Sequence, residues 1–226
     1  MALTAQTVLL NAIIILQDAG SVRWPLSELR KWLNAGLKEV SRIKPSATAA
    51  TTTIELVAGT KQSLPATASL LLRAIRNVDG PVLTPIAREI LDAQIPNWHK
   101  TTTVPYAAIA RHIIQDPVDT RTFYVFPGND GNGEIEVVLS NKPTEVAAPA
   151  DEFDIELYTA ELGLEDLYEN ALVDYILYRA FSKDMQMAGA GDRALAHYKA
   201  FKEALGERQA IEGVANVNTT QSQPNS

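Results

Sequence analysis

At 226 residues, 46 % of them hydrophobic, the chain can bury a real core, as one domain carrying an insertion or as two small domains, and global disorder is excluded. A formal net charge of −7 argues against a surface built to grip nucleic acid or anionic lipid. No cysteine is present, which removes disulfides, thiol catalysis and Cys-based zinc sites, and fits assembly inside a cell.

Residues 3–17 read as a helix with Val8, Leu9, Ala12, Ile13 and Leu16 along one stripe, stopped at Asp18-Ala19-Gly20 with Gly20 as the left-handed residue past its end. The apolar run 8–19 is too short to span a bilayer and is interrupted by Asn11. No Lys or Arg stands in residues 1–17, so a buried helix is expected rather than a membrane span or signal peptide. A second helix is expected from about Trp24-Pro25 to Ile43, with Leu26, Leu29, Leu33, Leu37 and Val40 at helical spacing and Lys44-Pro45 closing it.

Beyond Pro45 the composition turns to Thr and β-branched residues, with Gly59 offering a turn between two short strands. Residues 70–78 read as a strand, 84–94 as a short helix, and 106–114, 122–126 and 134–140 as three further strands. The last two flank PGNDGNG, which reads as a hairpin loop. After NKPTEVAAPA the helical period returns: one long helix over 164–187, a break at Ala188-Gly189-Ala190-Gly191, and a last helix capped by Asp192 and running to Leu205. NVNTTQSQPNS at the end is polar and uncharged.

The expected fold class is therefore α+β. Residues 1–44 and 160–206 form a helical bundle, 45–150 a β-rich insertion, 151–159 an acidic linker, and 207–226 a flexible C-terminal tail. Charge is polarised along the chain: residues 1–50 hold six Lys/Arg against three acids, residues 51–150 eight against ten, and residues 151–226 six against fourteen. Such polarity suits head-to-tail packing between copies, and equally suits solvated faces.

Chemical signatures are missing. His99, His112 and His197 stand alone, without an HExxH pair or a partner set for a nucleophile, and the phosphate-cradling glycine loops and the GxSxG elbow do not occur. A calcium loop counted from Asp130 fails, since Ile135 stands where a glycine is needed and Asn141 where a glutamate is needed. Eight Asp/Glu fall between Asp151 and Glu169; paired carboxylates could serve a glycosidase, and a solvated or docking strip is the stronger reading. No catalytic residue, cofactor or metal ligand is assigned.

ALVDYILYRAFSKD, residues 171–184, gathers titratable groups that could be mistaken for a catalytic cluster. On a helix, Leu172, Val173, Ile176, Leu177, Ala180 and Phe181 make a continuous apolar stripe, and Asp174, Tyr175, Tyr178, Arg179 and Lys183 are assigned to packing within the bundle or against a neighbouring copy.

The order of VRWPLSELRKWLNAGLKEVSRIKP, IELVAGTKQSLP, IRNV, AREILDAQIPNWH, DTRTFYVFP, ALVDYILYRAFSKD and HYKAFKEALG resembles the tail-adaptor proteins of tailed bacteriophages, also called head–tail connector or head-completion proteins, over about residues 3–206. The resemblance implies a structural protein and not an enzyme, in a homo-oligomeric ring, dodecameric, beneath the portal vertex. The ring would be assembled in the host cytoplasm and sit in the virion neck, binding the portal protein above and a tail or nozzle protein below. Genomic DNA would pass through without specific binding and no membrane would be involved. It also implies a portal-reaching C-terminal segment, for which Tyr198, Phe201, Lys202 and Arg208 are the residues at hand. The rival readings are another neck or tail-completion protein, a virion-associated cell-wall hydrolase using Glu161 or Glu165, and a DNA-binding module, which the charge disfavours.

Overall fold

The computed structural model describes residues 2–116 and 118–215, the side chains of 207–215 excepted. Its contacts divide the chain into two units, residues 1–47 with 143–226, and residues 48–142. The fold is α+β, with the strands gathered in the middle of the chain.

In the first unit, α1 (Ala5–Leu16) starts at Thr4, whose hydroxyl accepts the Thr7 N–H at 3.3 Å. It buries Val8, Leu9, Ala12, Ile13 and Leu16, the expected stripe. It ends earlier than Gly20: Gln17 takes the left-handed conformation at φ 55°. The Asp18 carboxylate then accepts the N–H groups of Val22 (3.1 Å), Arg23 (2.9 Å) and Trp24 (2.9 Å), so a side chain organises the turn that glycine was expected to provide. α2 (Leu26–Ile43) follows with Pro25 at its N-cap.

The expected helix over 164–187 is shorter. α4 (Glu169–Lys183) is preceded by a single 3₁₀ turn, Asp166–Tyr168, and α5 spans Ala190–Ala215. Gly189 at φ 78° makes the reversal between them. α5 begins before Asp192, which sits in its first turn where a carboxylate favours the helix dipole, and the helix continues past Leu205. Of the tail expected at 207–226, residues 207–215 are thus helical, and 216–226 lie outside the described residues. α4 is the hub of this unit, packing on α1, α2 and α5. The α2–α4 crossing is close at Gly36, where an added Cβ would stand 3.1 Å from the Tyr175 ring.

In the second unit, β1 (Ala49–Glu55), β3 (Ala68–Asn77) and β7 (Glu134–Asn141) form an antiparallel sheet in the order β1-β7-β3. β2 (Gly59–Ser63), β4 (Thr84–Pro85), β5 (His112–Gln115) and β6 (Thr122–Asn129) form a second sheet in the order β2-β6-β5-β4, with β4 and β5 parallel. Side chains from both sheets, among them Ile54, Leu71, Ile113, Phe123, Val125, Val137 and Leu139, make one core. Phe123 and Val125 belong to it, while Tyr124 and Phe126, pointing the other way by the two-residue strand period, join Trp98 and Leu91 of the α3 (Arg88–Gln94) region.

Three expectations for this unit are corrected. β6 and β7 are not a hairpin: they lie in different sheets, and PGNDGNG carries the chain from one sheet to the other. The crossing is organised by the fully buried Asn129, whose carbonyl oxygen accepts the N–H of Gly131 (2.7 Å) and Gly133 (3.1 Å) while its amide donates to Ala107 (3.2 Å) and Ala108 (3.0 Å). The strand expected over 106–114 is confined to β5, with Ala107 making only an isolated bridge to Asn129. The helix expected over 84–94 is split, because Pro85 excludes the helical conformation at Thr84 and leaves a short strand before α3.

Candidate interaction faces

The residues of ALVDYILYRAFSKD separate according to which neighbouring helix they meet. Leu172, Val173, Ile176, Leu177 and Ala180 are buried in the bundle core. Tyr175 is also buried, its ring 5.1 Å from that of Phe201, and burial pushes its hydroxyl above the ordinary range, opposed by the Arg179 guanidinium. Asp174 reaches across to His197 on α5, 2.8 Å from its Nδ1. Lys183 donates to Glu28 on α2 at 2.6 Å. Tyr178 is half-buried with its ring 4.8 Å from that of Tyr198, and Arg179 is exposed. No nucleophile–base pair arises from this arrangement; its polar groups tie helices together.

On α5, Tyr198 is half-buried and Lys202 exposed, the ammonium 5.9 Å from the Tyr198 ring centroid. Phe201, grouped with them from sequence as a docking residue, is fully buried among core side chains, so it supports the helix and presents nothing to a partner. The side chain of Arg208 lies outside the described residues.

These positions bring α2 and α4 together around a notch of about 310 Å³ lined by Glu28, Trp32, Tyr178, Arg179, Ser182 and Lys183. Beside it, the Arg42 guanidinium, at 2.6 Å, holds the Glu39 carboxyl below the usual range, with Lys202 adding to the effect. The notch therefore has an aromatic floor, Trp32 and Tyr178, under a rim where cations outnumber acids. Trp32 went unassigned in the sequence reading; its place on the Glu28–Trp32–Ala35–Glu39 flank of α2 was the available signal.

The acidic segment is fixed to the opposite flank of α2. Arg30 donates to the Val146 carbonyl (3.1 Å) and to Glu152 (3.1 Å), and Asn34 exchanges two hydrogen bonds with Val146. Further on, Ala5 donates to the Ala160 carbonyl and Leu162 to that of Leu3 (both 2.9 Å), so the segment also lines α1. Most of its carboxylates face solvent, and among them Phe153 is 88 % exposed. Glu161 and Glu165 are both exposed on this strip and line none of the described cavities.

The second unit offers two adjoining openings of about 590 and 600 Å³ beside β3 and β5, walled by Leu71, Leu72, Ile86 and Gln115, with the Gln115 amide donating to the Leu71 carbonyl at 2.8 Å. His99 stacks on Trp98 and shares a 2.8 Å hydrogen bond with the Thr60 hydroxyl; burial, then the Arg88 charge, lowers its pKa. His112 pairs with the Thr84 hydroxyl at 2.6 Å. Each of the three histidines is thus satisfied by a structural neighbour. Among the described residues no group of acids and histidines is placed to hold a metal ion, and no helix is long and apolar enough to cross a membrane.

The profile of the SU10 adaptor protein family matches residues 3–223. The chain belongs to the SU10 adaptor protein family. It is a bacteriophage tail adaptor, a structural protein, in agreement with the resemblance read from its sequence motifs. The match spans both units, so the adaptor family includes the β-sheet unit as well as the helices. No curated protein matches the chain. Within this adaptor, the conspicuous features are faces: an aromatic notch with a cationic rim, and an acidic strip carrying an exposed aromatic ring.

Proposed function

We propose that the chain is the subunit of a ring that sits below the portal vertex, completes the packaged head and gives the tail its attachment platform. The family match over residues 3–223 carries this reading. The faces support it: an adaptor works by binding other virion proteins, and the first unit leaves an aromatic, cationic notch and an acidic strip open to partners. A net charge of −7 suits a ring through which DNA passes, because each neutralised phosphate would add affinity and slow passage. On this reading its place is the virion neck, its partners are other copies of itself, the portal protein and a tail or nozzle protein, and it performs no catalysis.

Electron microscopy of the full-length protein, alone and mixed with isolated portal rings, tests the proposal. The expected result is a rotationally symmetric ring stacked on the portal. Failure to bind portal, or capping of isolated tail tubes instead, would replace the connector with a tail-completion protein. Some rings form only on their platform, so the mixed sample is the decisive one.

A further inference from the structure

We infer that, in the ring proposed above and resting on that reading, Phe153 of one copy seats in the α2–α4 notch of the next. Phe153 is 88 % exposed, a large apolar cost for an aromatic ring left in water. Its backbone is not slack. The Asp151 carboxylate accepts the Phe153 N–H at 2.9 Å, Asp154 accepts that of Glu156 at 2.9 Å, and the Tyr158 hydroxyl donates to the Glu152 carbonyl at 3.0 Å. With Arg30 holding Glu152 to α2, the ring stands on a preorganised turn, and little conformational entropy remains to be lost on docking.

The notch matches this knob in shape and charge. Its 310 Å³ hollow is lined by Trp32 and Tyr178, which can receive a ring; with Lys183 already paired to Glu28, the exposed Arg179 is the cation left to meet Asp151, Asp154 and Glu156 around it. An aromatic anchor entering a pocket with aromatic and arginine walls is the composition that dominates protein–protein binding energies.

Position decides who can supply the knob. At about 100° per residue, Arg30, Asn34 and Lys38 lie about 130° round α2 from Glu28, Trp32, Ala35 and Glu39. The segment bearing Phe153 is fastened to the first flank and the notch opens on the second, with the exposed Lys31, Lys38 and Arg42 of α2 between them. In its own chain Phe153 stands 88 % exposed and fastened away from the notch, which leaves the notch open to another copy. Two copies joined knob to hole leave one knob and one hole free, a heterologous contact that propagates and closes if the rotation is right.

The chain has no cysteine, so engineered pairs report without background. A full-length chain carrying both Phe153→Cys and Ser182→Cys is assembled alone and on portal rings, oxidised, and run on a non-reducing gel beside the two single variants. A ladder running past the dimer, only in the double variant, is expected. Phe153→Asp, exposed in the monomer, is expected to raise the concentration needed for assembly about tenfold or more with an unchanged melting temperature. Rings on the micrographs without a ladder would overturn the docking while leaving the ring intact. So would a dimer from Phe153→Cys alone, which marks a symmetric contact. Intact rings of Phe153→Asp that no longer bind portal would assign the knob to the portal instead. Absence of rings of the unsubstituted chain, both alone and on portal, would remove the ring reading and this contact with it.

Discussion

Replacing Phe201 with alanine separates a core residue from a docking residue. Phe201 is fully buried, 5.1 Å from the Tyr175 ring and 6.2 Å from the Tyr198 ring by centroid. Truncation loses the transfer free energy of the ring and leaves a hole that α4 and α5, joined by a short turn, cannot close, so a cost of about 4 kcal/mol is expected. In a chain of this length that lowers the melting temperature by roughly 2–4 °C per kcal/mol, or about 8–16 °C. Lys202→Ala, one residue along on the exposed side, should stay within about 0.5 kcal/mol. Scanning calorimetry with Trp24 and Trp32 fluorescence as the reporter of the first unit makes the comparison. Phe201→Leu should recover more than half of the loss, since it refills most of the volume. Equal, small effects of Phe201→Ala and Lys202→Ala would refute the packing argument and return Phe201 to the surface.

Three other outcomes are expected. Hydrogen bonds to Asp18, that from the Trp24 N–H foremost, hold its carboxyl below 3.8. Its contribution is therefore present above that value and is lost as pH falls through the lower, folded one, so Asp18→Ala, at a solvent-screened site, should cost about 0.5–1 kcal/mol at pH 7 and flatten the acid limb of stability, read by urea melts from pH 7 to 2. His99 has its pKa lowered from 6.5, chiefly by burial; stability is full above 6.5 and declines as pH falls below it, and His99→Gln should remove that decline from thermal melts between pH 8 and 5. Gly133→Ala should abolish or severely weaken the sheet crossing, because a Cβ there would collide with the Ala108 carbonyl and the Asn129 side chain; retention of wild-type amide-exchange protection in β6 and β7 would contradict this.

Much of the α unit was legible because a helix repeats its neighbours every three or four residues, so local spacing alone predicts which face is buried. The stripe of α1 and the core face of α4 follow from that rule. The β unit resisted the same treatment. Strands over 122–126 and 134–140 were placed from composition, yet their pairing depends on partners far away in sequence, and β6 meets β2 and β5 while β7 meets β1 and β3. A loop rich in Gly and Asn satisfies either a hairpin or a crossing; the choice rests on Asn129, two of whose four hydrogen bonds exist only once Ala107 and Ala108 arrive beside it.

The candidate faces divide in the same way. The sequence by itself determined that residues 171–184 pack as a helix and carry no catalytic set, because one period of apolar side chains leaves the titratable groups on its flanks. It determined the family too, through the order of its segments. Only the tertiary structure decided that Phe201 belongs to the core, that Trp32 joins Tyr178 and Arg179 in a notch, and that Phe153 stands free on the far flank of α2. Burial of an aromatic ring is set by what other helices bring to it, and that information is distributed over segments more than a hundred residues apart in the chain.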